Sequence, residues 1–172
     1  MNTKSKLLPL VHGAFFMALT IIFTFFLAIK TPIIRIDFAF IPLAIYASMW
    51  GPYRAGIMFA LVDIFGTNLF LPGTYFFGFT ITNFFTGFIY GKFLYKKELT
   101  LKRIFLMSLT TFIAVTCVLN NIWLTMQFQD AAFAFYTMRI IKGFIFVPIK
   151  TLVLFKLYQF LKPFIIKYSR LS

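Results

Sequence analysis

The sequence predicts an all-α integral membrane protein: a compact bundle of six transmembrane helices with both termini cytoplasmic. Three observations carry that prediction. Of 172 residues, 61% are hydrophobic and only 12% charged, whereas a soluble domain of this size needs far more polar surface over its core. Apolar runs, most of them near the ~20 residues a helix needs to cross a bilayer, alternate with Pro, Gly or charge. Lys and Arg fall mainly on one side of the topology that results.

The first run covers 8–29 and stops at Lys30, Thr31 and Pro32. Lys4 and Lys6 before it imitate a signal peptide. The apolar stretch is too long for one, however, and no small-residue cleavage site closes it, so it reads as a retained span. The second run, 36–50, is short and ends at Gly51-Pro52. The third, 53–71, is closed by Pro72-Gly73, and the fourth, 76–94, by Tyr95-Lys96-Lys97. A basic loop to Arg103 leads into the fifth, 104–126. The sixth, 131–160, is long enough for its first turns to lie at the surface. The chain, 1–172, is expected to form one membrane-embedded domain. Cys117, the lone cysteine, excludes an internal disulfide framework.

With the N-terminus in the cytoplasm, one side receives Lys4, Lys6, Arg54, Lys92, Lys96, Lys97, Lys102, Arg103, Lys156, Lys162, Lys167 and Arg170. The other side receives Lys30, Arg35, Arg139 and Lys142, with Lys150 inside the last span. An even number of spans then returns the C-terminus to the cytoplasm. In a soluble protein, 17 Lys and Arg against 4 Asp and Glu would point to nucleic acid. Here the placement of the charges points to a lipid bilayer and no nucleic acid.

The cations that break the pattern are informative, because ionisable groups at membrane depth are costly. At ~100° per residue, Lys142 lies about 60° from Arg139 and Lys150 about 20°, so the three share a helical face. With Arg35 they form a cationic stripe suited to an anionic small molecule arriving from outside. The alternative is snorkelling to lipid headgroups, which is the plain reading for Lys30. Asp63 is the acid inside an apolar helix, and an unpaired carboxylate there is expensive. It reads either as half of a buried salt bridge or as an acceptor for paired donors on a ligand. Asp37 and Asp130 sit at helix ends, where solvation is the default. Among the many aromatics, Phe38, Tyr75, Phe76, Phe77 and Trp123 lie beside outer Gly/Pro turns. They can stack on a flat heterocycle or serve as packing.

Catalytic parts are missing. His12 is the only histidine, no cluster has metal-ligand spacing, and no Ser or Cys has a base nearby. The segment from Gly87 to Lys92 is one residue short of a phosphate loop and follows a helix rather than a strand. It reads as a small-residue helix contact. No enzyme activity, metal or cofactor is expected. On the first span, Gly13, Ala14 and Ala18 form a small face that admits another helix, either within the bundle or from a partner.

In TPIIRIDFAFIPLAIYASMWGP (31–52), VDIFGTNLFLPGTYFFGFTIT (62–82), FTGFIYGKFLYKK (85–97), NNIWL (120–124) and RIIKGFIFVPIKTLVLF (139–155), the chain resembles a known family. These segments are similar to the substrate-binding S components of energy-coupling-factor (ECF) vitamin transporters, the folate-specific type in particular. The resemblance implies a six-helix subunit of the bacterial cell membrane that captures folate from outside. It also implies partners: a transmembrane coupling subunit (EcfT) and two cytoplasmic ATPases (EcfA type) that bind the ATP. In this family the S component is thought to topple in the membrane so that its pocket turns inward. Ala14 and Ala18 match the family's coupling contact, and 32–35 and 72–77 match loops over the pocket. The pterin is then expected against Asp63 and the aromatics, with hydrogen bonds from Asn68, Thr80, Asn83 or Gln127. The glutamate carboxylates are expected at Arg35, Arg139 and Lys142. An S component for another pterin or heteroaromatic anion, and a membrane assembly protein without a substrate, remain as alternatives.

Overall fold

The computed structural model describes the backbone of residues 3–30, 35–36, 38–73, 75–128 and 132–169. Side chains are described for 7–28, 38–73, 75–126, 137 and 140–161. Among the described residues, the chain forms six helical rods. They are α1 (Thr3–Phe25), α2 (Phe40–Trp50), α3 (Pro52–Phe70) and α4 (Phe77–Leu94), followed by α5 and α6. α5 runs unbroken over 101–128, as α-helical Leu101–Thr111, π-helical Phe112–Leu119 and α-helical Asn120–Phe128. α6 is Ala132–Ser169.

The rods correspond one for one to the expected spans, with three differences at their ends. α1 stops at Phe25, and the chain makes a small antiparallel ladder, β1 (Ile29–Lys30) with β2 (Arg35–Ile36), in which Lys30 lies opposite Arg35. That ladder uses residues assigned from the sequence to the first and second helices, so α2 begins only at Phe40. At the other end of the chain, α6 continues to Ser169 instead of stopping at 160.

Local chemistry accounts for the turns. Gly51 has φ +86°, a conformation that costs a residue without a side chain little. Pro52 follows at the start of α3, where its missing N–H is no loss, so α2 and α3 are separated by a single residue. Thr100 caps α5 by accepting a hydrogen bond from the Arg103 N–H at 3.4 Å.

α3 and α4 pack backbone against backbone. A Cβ on Gly87 would meet the backbone of Ala55 and Gly56, and one on Gly91 would meet Pro52. The pair Gly87 and Gly91 is therefore the helix contact expected of it. Leu43, Ala47, Ala55, Tyr90, Ile104 and Met107 fill the core. The Gly51 turn lies against Tyr95, and the His12 and Trp50 rings meet at 5.5 Å. This gathers the start of α1, the α2–α3 turn and the end of α4 at one end of the bundle. Phe25 and Phe70, 5.2 Å apart, mark the other.

The surface is apolar and part of the interior is polar. Leu10, Leu69, Phe77, Met126, Phe144 and Phe160 are all more than 60% exposed, while Thr20, Ser48, Thr80, Thr82 and Thr151 are buried. The buried hydroxyls of Thr20 and Thr151 donate to the carbonyls of Phe16 and Val147 one turn back. A soluble monomer seldom exposes so many large apolar side chains. By length and composition, Leu7–Phe25 and Leu101–Met126 suffice to cross a membrane, and Phe40–Trp50 is a shorter apolar helix.

Candidate ligand-binding site

α4 carries polar residues on two faces near its first turns, and each face meets a different helix. Toward α3, Thr80 Oγ1 lies 2.7 Å from Asp63 Oδ2 and 3.0 Å from the Tyr75 hydroxyl. Threonine has one hydroxyl proton. Given to the carboxylate, it leaves Thr80 to accept from Tyr75. The Asn83 side chain also hydrogen-bonds Asp63. Among the described residues, the half-buried carboxylate is thus held by a hydroxyl and an amide. Of the cations that could form the salt bridge read from the sequence, Arg35 and Arg139 have side chains outside the described residues. A carboxylate has about four lone-pair sites, so two named partners leave acceptor capacity for donors on a ligand.

Toward α5, the Trp123 Nε1–H donates to Thr82 Oγ1 at 3.1 Å. Phe76 meets the Trp123 indole edge to face, with centroids 6.0 Å apart, and meets Phe79 at 5.7 Å. Gly78 makes this possible, since a Cβ there would collide with both Phe76 and Trp123. The hydrogen bond fixes the plane of the indole, and the T-shaped contact fixes Phe76 against it. The result is an aromatic wall on the α5-facing side of α4, built, like the polar cluster on its α3-facing side, on the opening turns of that helix.

Asp63, Tyr75, Thr80 and Asn83 therefore come together, as do Phe76 and Trp123. Asn68 does not join them, for it is exposed and its amide donates to the Ile64 carbonyl of its own helix at 2.7 Å. Phe38 is 36% exposed, with its ring 6.5 Å from Phe40. Lys142 Nζ lies 5.3 Å over the Phe146 ring, one turn along α6. Lys150 Nζ lies 5.2 Å over Phe40 of α2, a cation–π contact that brings the third member of the cationic face onto a neighbouring helix. The backbone of Arg35 is in β2 and those of Gln127 and Arg139 are in α5 and α6, but their side chains lie outside the described residues. Asp37 and Asp130 also lie outside them.

Gly13, Ala14 and Ala18 separate. A Cβ on Gly13 would approach the Tyr46 hydroxyl at 3.1 Å, and that hydroxyl donates to the Pro9 carbonyl at 3.2 Å. Gly13 is thus a contact inside the bundle. Ala14 and Ala18 are exposed on the outer side of α1, flanked by exposed Val11, Phe15 and Ile22.

Two positions that build the aromatic wall were not singled out from the sequence: Thr82 and Gly78. Their i,i+4 spacing puts both on the α5-facing side of α4, and that spacing was the available signal. A small apolar cavity of about 20 Å³, lined by residues including Ser48, Leu94, Ile104 and Leu154, lies at the opposite end of α4 and contains none of the candidate residues.

Comparison with known proteins follows the same outline. The family model described as "ECF transporter, substrate-specific component" matches residues 9–158. A folate transporter FolT of Clostridium novyi (strain NT) is 39% identical over 150 residues, covering 87% of each chain. A folate transporter FolT of Leuconostoc mesenteroides subsp. mesenteroides is 30% identical over 130 residues, covering 72% of this chain and 70% of that one. A solved structure described as FolT bound with folic acid superposes with a TM-score of 0.80 at 35% identity, covering 91% of this chain and 93% of that one.

Proposed function

The chain belongs to the family of ECF-transporter substrate-specific components, and on that premise we propose that it is the folate-capturing subunit of such a transporter. Membrane location comes with the family. The observation that supports the reading most is the half-buried Asp63 carboxylate, held between Thr80 and Asn83, with the Phe76–Trp123 wall built on the same opening turns of α4. Folate's pterin offers what this arrangement lacks: adjacent N–H donors on a flat ring. The carboxylate accepts the donors through charge-assisted hydrogen bonds, and the wall takes the ring face or edge.

The glutamate end of the ligand carries two carboxylates and calls for cations. Arg35, Arg139 and Lys142 fill that role in this reading, supported by their place against the charge rule that orients the rest of the chain. That rule also supports six transmembrane spans with both termini in the cytoplasm. The capture site then opens outward, at the end where β1, β2 and the α3–α4 turn lie.

This subunit binds and delivers, and a coupling subunit of the EcfT type with two EcfA-type ATPases supplies the energy. The exposed Ala14 and Ala18 on α1 form a surface flat enough for a second helix to approach closely. A thermal-shift screen of vitamins on the purified chain tests the ligand: folate is expected to raise the melting temperature most. A larger shift with riboflavin, and none with folate, would overturn the assignment.

A further inference from the structure

At the end of the bundle opposite the candidate site, α4, α5 and the segment between them border an open cleft of about 360 Å³ lined by Phe93, Lys97, Thr100, Lys102, Arg103 and Leu106. Between Lys92 and Arg103 the chain places five cations against one acid, Glu98. Crowding like charges in so short a segment is unfavourable unless an anion offsets it. The cations also lie next to the positive end of the α5 dipole, and the first turn of α5 contains no acid. Two of them are held in place rather than left to wave in solvent. Lys97 Nζ donates to the Lys92 carbonyl at 3.0 Å, and Arg103 Nη1 to the Glu98 carbonyl at 3.0 Å. Each keeps further N–H donors for a ligand.

The remaining walls are apolar. Phe93 and Leu106 line the cleft, and the α5 surface beyond it exposes Leu101, Phe105 and Leu106. A cationic rim set on an apolar wall matches a molecule with a phosphate at one end and hydrocarbon below it. We propose that this cleft seats the headgroup of an anionic phospholipid, with the phosphate among Lys97, Lys102 and Arg103 and an acyl chain along Phe93 and Leu106. An acidic protein segment would use the cations but not the apolar wall. The inference rests on the membrane location of the family and is independent of which vitamin the chain captures.

Native mass spectrometry of the full chain in neutral detergent tests it, with phosphatidylglycerol and phosphatidylcholine as the added lipids. Phosphatidylglycerol is expected to bind about tenfold more tightly. The K97Q/K102Q/R103Q variant should lose that preference, and the charge-matched K4Q/K6Q/K156Q variant should keep it. If the first variant does not fold by circular dichroism, R103Q alone is read, with a loss of about threefold expected. Equal binding of the two lipids, equal loss in both charge variants, or displacement of the lipid by millimolar inorganic phosphate would overturn the proposal. Because the readout is lipid, a failure to bind folate leaves it unaffected.

Discussion

Thr80 Oγ1 donates to Asp63 Oδ2 across 2.7 Å, joining the first turns of α4 to the middle of α3. In a mainly apolar bundle this bond, with that of Asn83, orients the carboxylate, and it ties the candidate site to the glycine-packed α3–α4 pair.

Removing the donor should therefore weaken ligand binding without abolishing the fold. Thr80→Val, which keeps the shape and deletes the hydroxyl, is expected to lower folate affinity by about 1–2 kcal/mol, and Thr80→Ser to restore most of it. Titration calorimetry on both variants checks this. Equal affinity in wild type and Thr80→Val would show that Asp63 needs no orientation.

The charges themselves carry larger effects. Asp63→Asn and Arg139→Ala are each expected to cost about 1.5–3 kcal/mol of folate binding. A pterin lacking the glutamate moiety should separate them, losing affinity with Asp63→Asn and staying indifferent to Arg139→Ala. Unchanged folate affinity in both variants would leave the two residues with structural roles only.

Trp123 has two functions that substitution can divide. Trp123→Phe keeps an aromatic edge for Phe76 but deletes the hydrogen bond to Thr82, for an expected loss of about 1 kcal/mol. Trp123→Ala removes the wall as well and should cost about 1 kcal/mol more. The split is read from dissociation constants measured in one detergent. Equal losses would mean that the hydrogen bond, not the ring, is what matters.

Small residues on α1 and α4 should behave in opposite ways. Gly87→Val inserts a side chain where Ala55 and Gly56 already lie and is expected to destabilise the isolated chain by about 1–3 kcal/mol. Ala14→Trp and Ala18→Trp, on the exposed face, should leave its melting temperature and folate binding unchanged while preventing co-purification with the coupling subunit. Gly13→Val should act in the same direction but more mildly, because its Cβ approaches the Tyr46 hydroxyl at 3.1 Å rather than a backbone.

Those contrasts also show what was legible in the sequence. The rods were, since a length of apolar residues bounded by Pro, Gly or charge is a one-dimensional signal. The Gly87–Gly91 contact was legible for the same reason, as two small residues one turn apart. Gly13 was grouped with Ala14 and Ala18 because all three are small and near in sequence. Neighbours on a helix differ by about 100° in direction, and only the position of Tyr46 shows that Gly13 points inward. Asp63 stood out as an acid in hydrocarbon, but that Thr80 and Asn83 of α4 meet it depended on the rotation of that helix. Thr82 signalled nothing beyond its spacing from Gly78, because a threonine in a helix ordinarily bonds its own backbone, as Thr86 does to the Thr82 carbonyl at 2.9 Å. The π-helical stretch in α5 was equally silent. Its altered hydrogen-bond register brings Phe112 against Gly143 of α6, a tertiary fit that Phe112–Leu119 alone does not encode.

Isothermal titration of the purified full-length chain with folic acid addresses the central claim most directly. The account predicts saturable one-to-one binding that Asp63→Asn weakens at least tenfold, corresponding to about 1.4 kcal/mol or more. No heat with folic acid, alongside tight binding of a different vitamin to the same folded protein, would contradict it.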